Sequence, residues 1–123
     1  MSASDLQVAK QFLDALAVAA TTGDTSVIYP FLAEDVDWLT PQVALHGLGE
    51  VHDRLTWIAP RENLEVELGG LDLKDGGSGR IVTDVQETYR MRKTGEFAYA
   101  RDRRIELTIR GDKIARYEMR FSE

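Results

Sequence analysis

From Leu64 to Phe121, apolar residues recur at every second position within short runs, and this alternation constrains the chain more than any other feature. Leu64, Val66 and Leu68 share one parity, as do Ile81, Val85, Tyr89 and Met91. Ile105, Leu107 and Ile109 form a third run, and Ala115, Tyr117, Met119 and Phe121 a fourth. A period of two belongs to strands with one face in a core and the other in water. Asp75-Gly76-Gly77, Lys93-Thr94-Gly95 and Gly111-Asp112 lie between these runs and mark hairpin turns. Residues 64–121 are therefore expected to form a four-strand antiparallel meander with one apolar and one charged face.

The first half follows the other period. Leu6, Ala9, Leu13, Leu16 and Ala20 recur at helical spacing with Phe12 beside them. Ser4-Asp5-Leu6-Gln7 reads as a capping box with Ser4 as the N-cap, and Gly23 as the stop. Asp24 caps a short second helix through Ile28, disturbed by Pro30. The alternating stretch Asp35–Leu39 predicts a short strand. Leu48, Val51, Leu55 and Ile58 form the stripe of a third helix ending before Pro60. Lys74–Gly79, the loosest stretch, reads as a turn rather than a linker, so one domain spans 1–123. Helices followed by strands is an α+β pattern, with the helices covering the apolar face of a curved antiparallel sheet and enclosing a pocket.

Composition excludes several kinds of chemistry. With no cysteine there is no disulfide, thiolate metal site or Cys nucleophile. His46 and His52, six residues apart, fall on different helical faces, so no metal site is read from them. A net charge of −6 opposes binding to nucleic acid or anionic membranes. No run of about 18 apolar residues is present to span a membrane. Met1–Asp5 carries no signal-peptide pattern, so a cytoplasmic location is expected.

The register of the central hairpin singles out a few charges. Lys93-Thr94-Gly95 fits a three-residue loop with Gly95 at a positive φ, which pairs Arg92 with Glu96. Counting back sets Tyr89 opposite Tyr99, Glu87 opposite Arg101, Val85 opposite Arg103 and Ile81 opposite Leu107. Glu87, Arg101 and Arg103 then lie on the inner, apolar face, where an unpaired charge is costly. A Glu87–Arg101 pair with Arg103 on the diagonal reduces that cost. Three readings stay open: an anion-binding or acid–base group in the pocket, a structural ion pair at its mouth, or a bulge that turns the arginines outward.

Phe31-Leu32-Ala33-Glu34-Asp35-Val36-Asp37-Trp38, Leu45-His46-Gly47 and Arg110-Gly111-Asp112-Lys113-Ile114-Ala115-Arg116-Tyr117 stand in the order and spacing of motifs of the SnoaL-like branch of the nuclear transport factor 2-like superfamily, which the chain resembles over nearly its whole length. The resemblance implies a cone-shaped α+β fold, usually dimeric, with a ligand pocket and no fixed function: relatives include isomerases, cyclases, hydrolases and non-catalytic proteins. In ketosteroid isomerase an Asp base works with a Tyr and a protonated Asp as oxyanion hole. The corresponding positions here fall at Thr40, near Phe12 or Leu16, and at Ile105, none of which supplies that chemistry. The Asp that polyketide-cyclase and epoxide-hydrolase relatives carry on the last strand is met by Met119.

The expectation is thus a small-apolar-ligand protein without cofactor or metal. One reading is a cofactor-independent isomerase, cyclase or hydrolase for a polyketide- or terpenoid-like molecule; the other is a non-catalytic dimeric module. The catalytic candidates are Glu87 for proton transfer, Arg101 or Arg103 for an oxyanion, and His46 at the mouth. Phe12, Leu16, Trp38, Leu55, Val85, Tyr89, Tyr99, Ile105, Leu107, Tyr117, Met119 and Phe121 are the expected pocket lining. Asp35 and Asp37 face outward, and the outer sheet face, with interleaved residues such as Arg104, Glu106, Arg116 and Glu118, is the expected homodimer surface.

Overall fold

The computed structural model describes residues 2–55, 64–69 and 72–121, with side chains from residue 5 onward. Helix α1 (Ser2–Thr22) opens the chain, and a 3-10 helix (Thr25–Phe31) follows. Ser4 is not the N-cap: α1 starts at Ser2, so Ser4 already sits in the first turn. The stop is as expected. Gly23 takes φ +80 and its N–H donates to the Ala19 carbonyl at 2.7 Å, the left-handed closure that an L side chain resists. Asp24 caps the 3-10 helix by accepting the Ser26 N–H, and Pro30 is held inside it.

Strand β1 (Leu32–Leu39) pairs with a short β2 (Ala44–His46), and α2 (Leu48–Arg54) follows. The helix ends at Arg54 with Leu55 as its extended C-cap, one turn short of the expected stripe, and Ile58 lies outside the described residues. The remaining strands are β3 (Leu64–Gly69), β4 (Lys74–Gly77), β5 (Arg80–Met91), β6 (Phe97–Arg110) and β7 (Lys113–Phe121). They join in the order β2-β1-β7-β6-β5-β3, with β4 beside β5. The expected meander is present as β3-β5-β6-β7, all antiparallel. The sheet as a whole is mixed, because β1 adds to β7 in parallel after the chain has crossed the sheet. The stretch read as one turn, Lys74–Gly79, contributes strand β4: its four residues are exposed and pair through backbone alone, which leaves no apolar signal.

Two bulges adjust the register of β5, β6 and β7. Met91 donates its N–H to the Glu96 carbonyl and accepts the Gly95 N–H, so the hairpin loop is one residue longer than read and Arg92 does not pair with Glu96. An extra residue in β6, Ala98, between the Arg90–Phe97 and Tyr89–Tyr99 pairs restores the count. Beyond it the expected pairs hold: Tyr89–Tyr99, Glu87–Arg101, Val85–Arg103 and Ile81–Leu107. A second bulge at Ala115 gives the inward place to the fully buried Ile114 and leaves Ala115 half-buried, contrary to the parity read for the last strand.

The core lies between the helices and the inner sheet face. Ala9, Phe12, Leu13, Leu16 and Ala19 bury one face of α1 against Val85, Ile105, Leu107, Tyr117 and Met119. Tyr89, grouped with them by parity, is half-buried instead. At the centre Trp38 and Tyr117, register partners on β1 and β7, stack with centroids 3.9 Å apart. Phe12 meets both edge-on at 6.3 and 6.0 Å, the geometry aromatic quadrupoles favour.

Candidate functional site

Along β5 and β6 the inner face changes from apolar to charged. Thr83, Val85, Glu87 and Tyr89 follow one another on β5, and Ile105, Arg103, Arg101 and Tyr99 lie across from them on β6. Glu87 and Arg103 are both more than nine-tenths buried, at 8% and 6% exposure. Arg103 donates from Nε to Glu87 Oε1 at 2.9 Å, and the Tyr89 hydroxyl donates to the same oxygen at 3.0 Å. Arg103 Nη1 reaches Met119 Sδ at 3.5 Å, a weak acceptor, and its guanidinium lies 4.2 Å from the ring centroid of Phe121, its register partner on β7.

The pairing corrects one expectation. Glu87 faces Arg101 in register but bonds to Arg103 on the diagonal. Strand twist brings the diagonal neighbour within reach of a long side chain. Arg101 is exposed and sits over the Tyr99 ring at 5.2 Å, while Tyr99 stacks on Tyr89 at 4.4 Å. Among the described residues, the hydrogen bonds to Glu87 converge on Oε1, and those from Arg103 leave from Nε and Nη1. Oε2 and Nη2 thus remain as an acceptor and a donor for a third molecule.

Two phenols lie beside this pair. Burial, reinforced by the Glu87 charge, pushes the Tyr89 hydroxyl up to about 12. Tyr117 is also pushed up, by burial first and Glu87 next, with Arg103 opposing. Both phenols therefore stay neutral around pH 7 and keep their protons as donors.

His46 is not part of this cluster. Its β1 partner is Asp37, and the adjacent pair Trp38–Leu45 is fully buried, so Asp37 and His46 point to the opposite face. There Nδ1 lies 2.7 Å from Asp37 Oδ1, with the imidazole 67% exposed, and the His46 N–H donates to Glu50. Asp35 also faces out, paired with Arg110, whose guanidinium holds the carboxyl below its ordinary range. Of the residues expected to line a pocket, Phe12, Leu16, Trp38, Leu55, Val85, Ile105, Leu107, Tyr117 and Met119 are buried in the core. Tyr89 and Tyr99 are half-buried and Phe121 is 43% exposed, which sets these three at the open end of the inner face.

Sequence reasoning missed two features. Leu68 on β3 is the register partner of Glu87 on its other side, a neighbour that depends on a strand pairing no short turn announces. A groove of about 430 Å³ runs between α1 and β3, lined in part by Val18, Thr21, Val66, Leu68 and Arg90. Neither Glu87 nor Arg103 lines it. Among the described residues there is no cluster of three potential metal ligands, and no helix is long and apolar enough to cross a membrane.

No family model matches the sequence, and no curated protein matches it. Solved structures do. A nuclear transport factor 2-like protein from Anabaena variabilis superposes with a TM-score of 0.74 at 18% identity, covering 98% of this chain and 90% of that one. A protein from Xanthomonas campestris, provisionally named a polyketide cyclase, gives 0.69 at 19% identity, covering 96% and 93%. A protein from Catenulispora acidiphila with a ketosteroid isomerase-like fold, in complex with trimethylamine, gives 0.66 at 15% identity, covering 91% and 85%. Identities this low speak for architecture alone, and with the helices, sheet order and register above they establish that the chain has the nuclear transport factor 2-like fold.

Proposed function

We propose that the chain binds a small, largely apolar molecule against the inner sheet face and holds an oxygen function of that molecule on Glu87 and Arg103. The observation that carries this reading is the buried Glu87–Arg103 pair with Oε2 and Nη2 left for a third partner. A buried ion pair is a poor source of stability, since an apolar pair of equal volume commonly does as well or better. Stability therefore gives no sufficient reason for two charges on this face.

The same atoms suit proton transfer. A ligand carbonyl that accepts from Arg103 Nη2 develops its enolate charge beside a permanent cation, and Glu87 Oε2 takes the proton from the adjacent carbon. Tyr89 holds Oε1 and leaves Oε2 as the working oxygen. This supports a cofactor-independent isomerase or cyclase for a polyketide- or terpenoid-like ring, using residues other than the ketosteroid isomerase set. The competing reading, a non-catalytic binding module, is favoured by the direct Arg103–Glu87 bond, because a carboxylate held by a guanidinium is a weak base.

The test is a panel of cyclic enones and ketones, screened by tryptophan fluorescence and then followed in D2O for deuterium uptake next to the carbonyl. Exchange that Glu87→Gln removes while binding persists supports the enzyme. Binding without exchange supports the module. If no member of the panel binds, the ligand-site reading falls.

A further inference from the structure

We infer that the molecule taken by this site is an organic anion, a carboxylate on an apolar body. The inference rests on the ligand-site reading above and moves its polar contact to the arginines: a carboxylate, having no donor, is held by Arg103 and Arg101 and makes no bond to Glu87. Among the described residues, the inner face of β3, β5, β6 and β7 carries three ionised side chains: Glu87, Arg101 and Arg103. One carboxylate against two guanidiniums leaves the site at +1, inside a chain whose net charge is −6. Three outer-face arginines differ: Arg104 is answered by Asp84, Arg80 by Glu106 and Arg110 by Asp35.

Arg101 has the geometric opportunity to neutralise Glu87, its register partner, yet Arg103 holds that carboxylate and Arg101 leans on the Tyr99 ring. Arg103 spends Nε on Glu87 and Nη1 on a thioether, so much of its five-donor fork remains for a ligand. A guanidinium fork is shaped for carboxylate oxygens, and a positive site bordered by apolar side chains favours a counter-anion. Exposed Arg101 and half-buried Tyr99 mark the entrance, with Arg103 deeper in. The carboxylate would span the two arginines and the apolar body would lie along Phe121 and Tyr89. Arg101 acts here by charge and is a specificity-determining residue.

The experiment compares matched pairs at pH 7 by titration calorimetry: 2-naphthoate with 2-naphthamide, and cyclohexanecarboxylate with its carboxamide. The acid is expected to bind at least about tenfold more tightly than its amide, as one charge-assisted contact supplies. Arg101→Gln, at an exposed position that leaves the core intact, is expected to remove most of that preference and to change amide affinity less than about twofold. Amides that bind as well as acids, or a preference that survives Arg101→Gln, would overturn the anion inference and leave the apolar-ligand site standing. Failure of both acids and both amides to bind would overturn the site itself.

Discussion

Glu87 and Arg103 are the two residues on which the site turns. Their inward position was legible: period-two spacing and one glycine-bearing turn put both on the apolar face. Their bond was not, because parity assigns a face whereas strand twist decides which diagonal neighbour a long side chain reaches. Removing one partner leaves a buried charge alone, so Glu87→Gln and Arg103→Met are each expected to lower stability by about 3–5 kcal/mol. The double substitution, which removes both charges, is expected to cost much less than the sum. Urea denaturation of the four proteins checks this, and additive costs would mean that the pair is not coupled. Tyr89 adds a pH dependence. Its hydroxyl is raised to about 12, while an unfolded chain loses the same proton near 10. Between those values the folded chain binds more protons, so its stability is full below about pH 10 and declines as pH rises toward 12. An ultraviolet titration is expected to show a phenol ionising near pH 12 that Tyr89→Phe removes.

The β5–β6 hairpin is the element on which the site depends. Its expected register was right although its loop was misread, because the longer loop is offset by the bulge at Ala98. Bulges and short edge strands such as β2 and β4 leave little trace in a hydrophobic pattern, since one extra or exposed residue carries no periodicity. Glycines at the hairpin ends are legible in part. Gly95 takes φ +74, and a Cβ there would meet no neighbouring atom within 4 Å, so Gly95→Ala is expected to cost about 1–2 kcal/mol from backbone strain alone. Gly79 takes φ +79, and a Cβ there would lie 2.5 Å from the Ile109 carbonyl oxygen, held close because the Ile109 N–H donates to the Gly79 carbonyl. Gly79→Ala adds that clash and is expected to cost about 3 kcal/mol or more. Thermal denaturation of the two variants should rank them in that order, and equal losses would show that the close approach relaxes cheaply.

For the whole molecule, the helix-then-meander order was legible from two periodicities, and the parallel docking of β1 on β7 was not, since it joins strands distant in sequence. The outer face suggests how copies associate. Arg104 faces Arg120 and Glu106 faces Glu118 on β6 and β7, so a row of like positive charge runs beside a row of like negative charge. Each of these charges is also met within the chain, Arg104 by Asp84, Glu106 by Arg80 and Glu118 by Arg116 and Arg120, and the two rows are complementary to those of a second copy turned by a two-fold rotation. We therefore propose a homodimer through this face, expected in sedimentation as a dimer at low salt that weakens at high salt. A monomer at micromolar concentration regardless of salt would contradict it. The central claim, however, concerns the inner face: the Glu87–Arg103 pair serves a ligand rather than the fold. The most direct measurement is the affinity of 2-naphthoate for the wild type and for the folded Glu87→Gln/Arg103→Met double variant. At least a tenfold loss of affinity is predicted, roughly 1.4 kcal/mol or more, whereas unchanged affinity in the double variant would contradict the account.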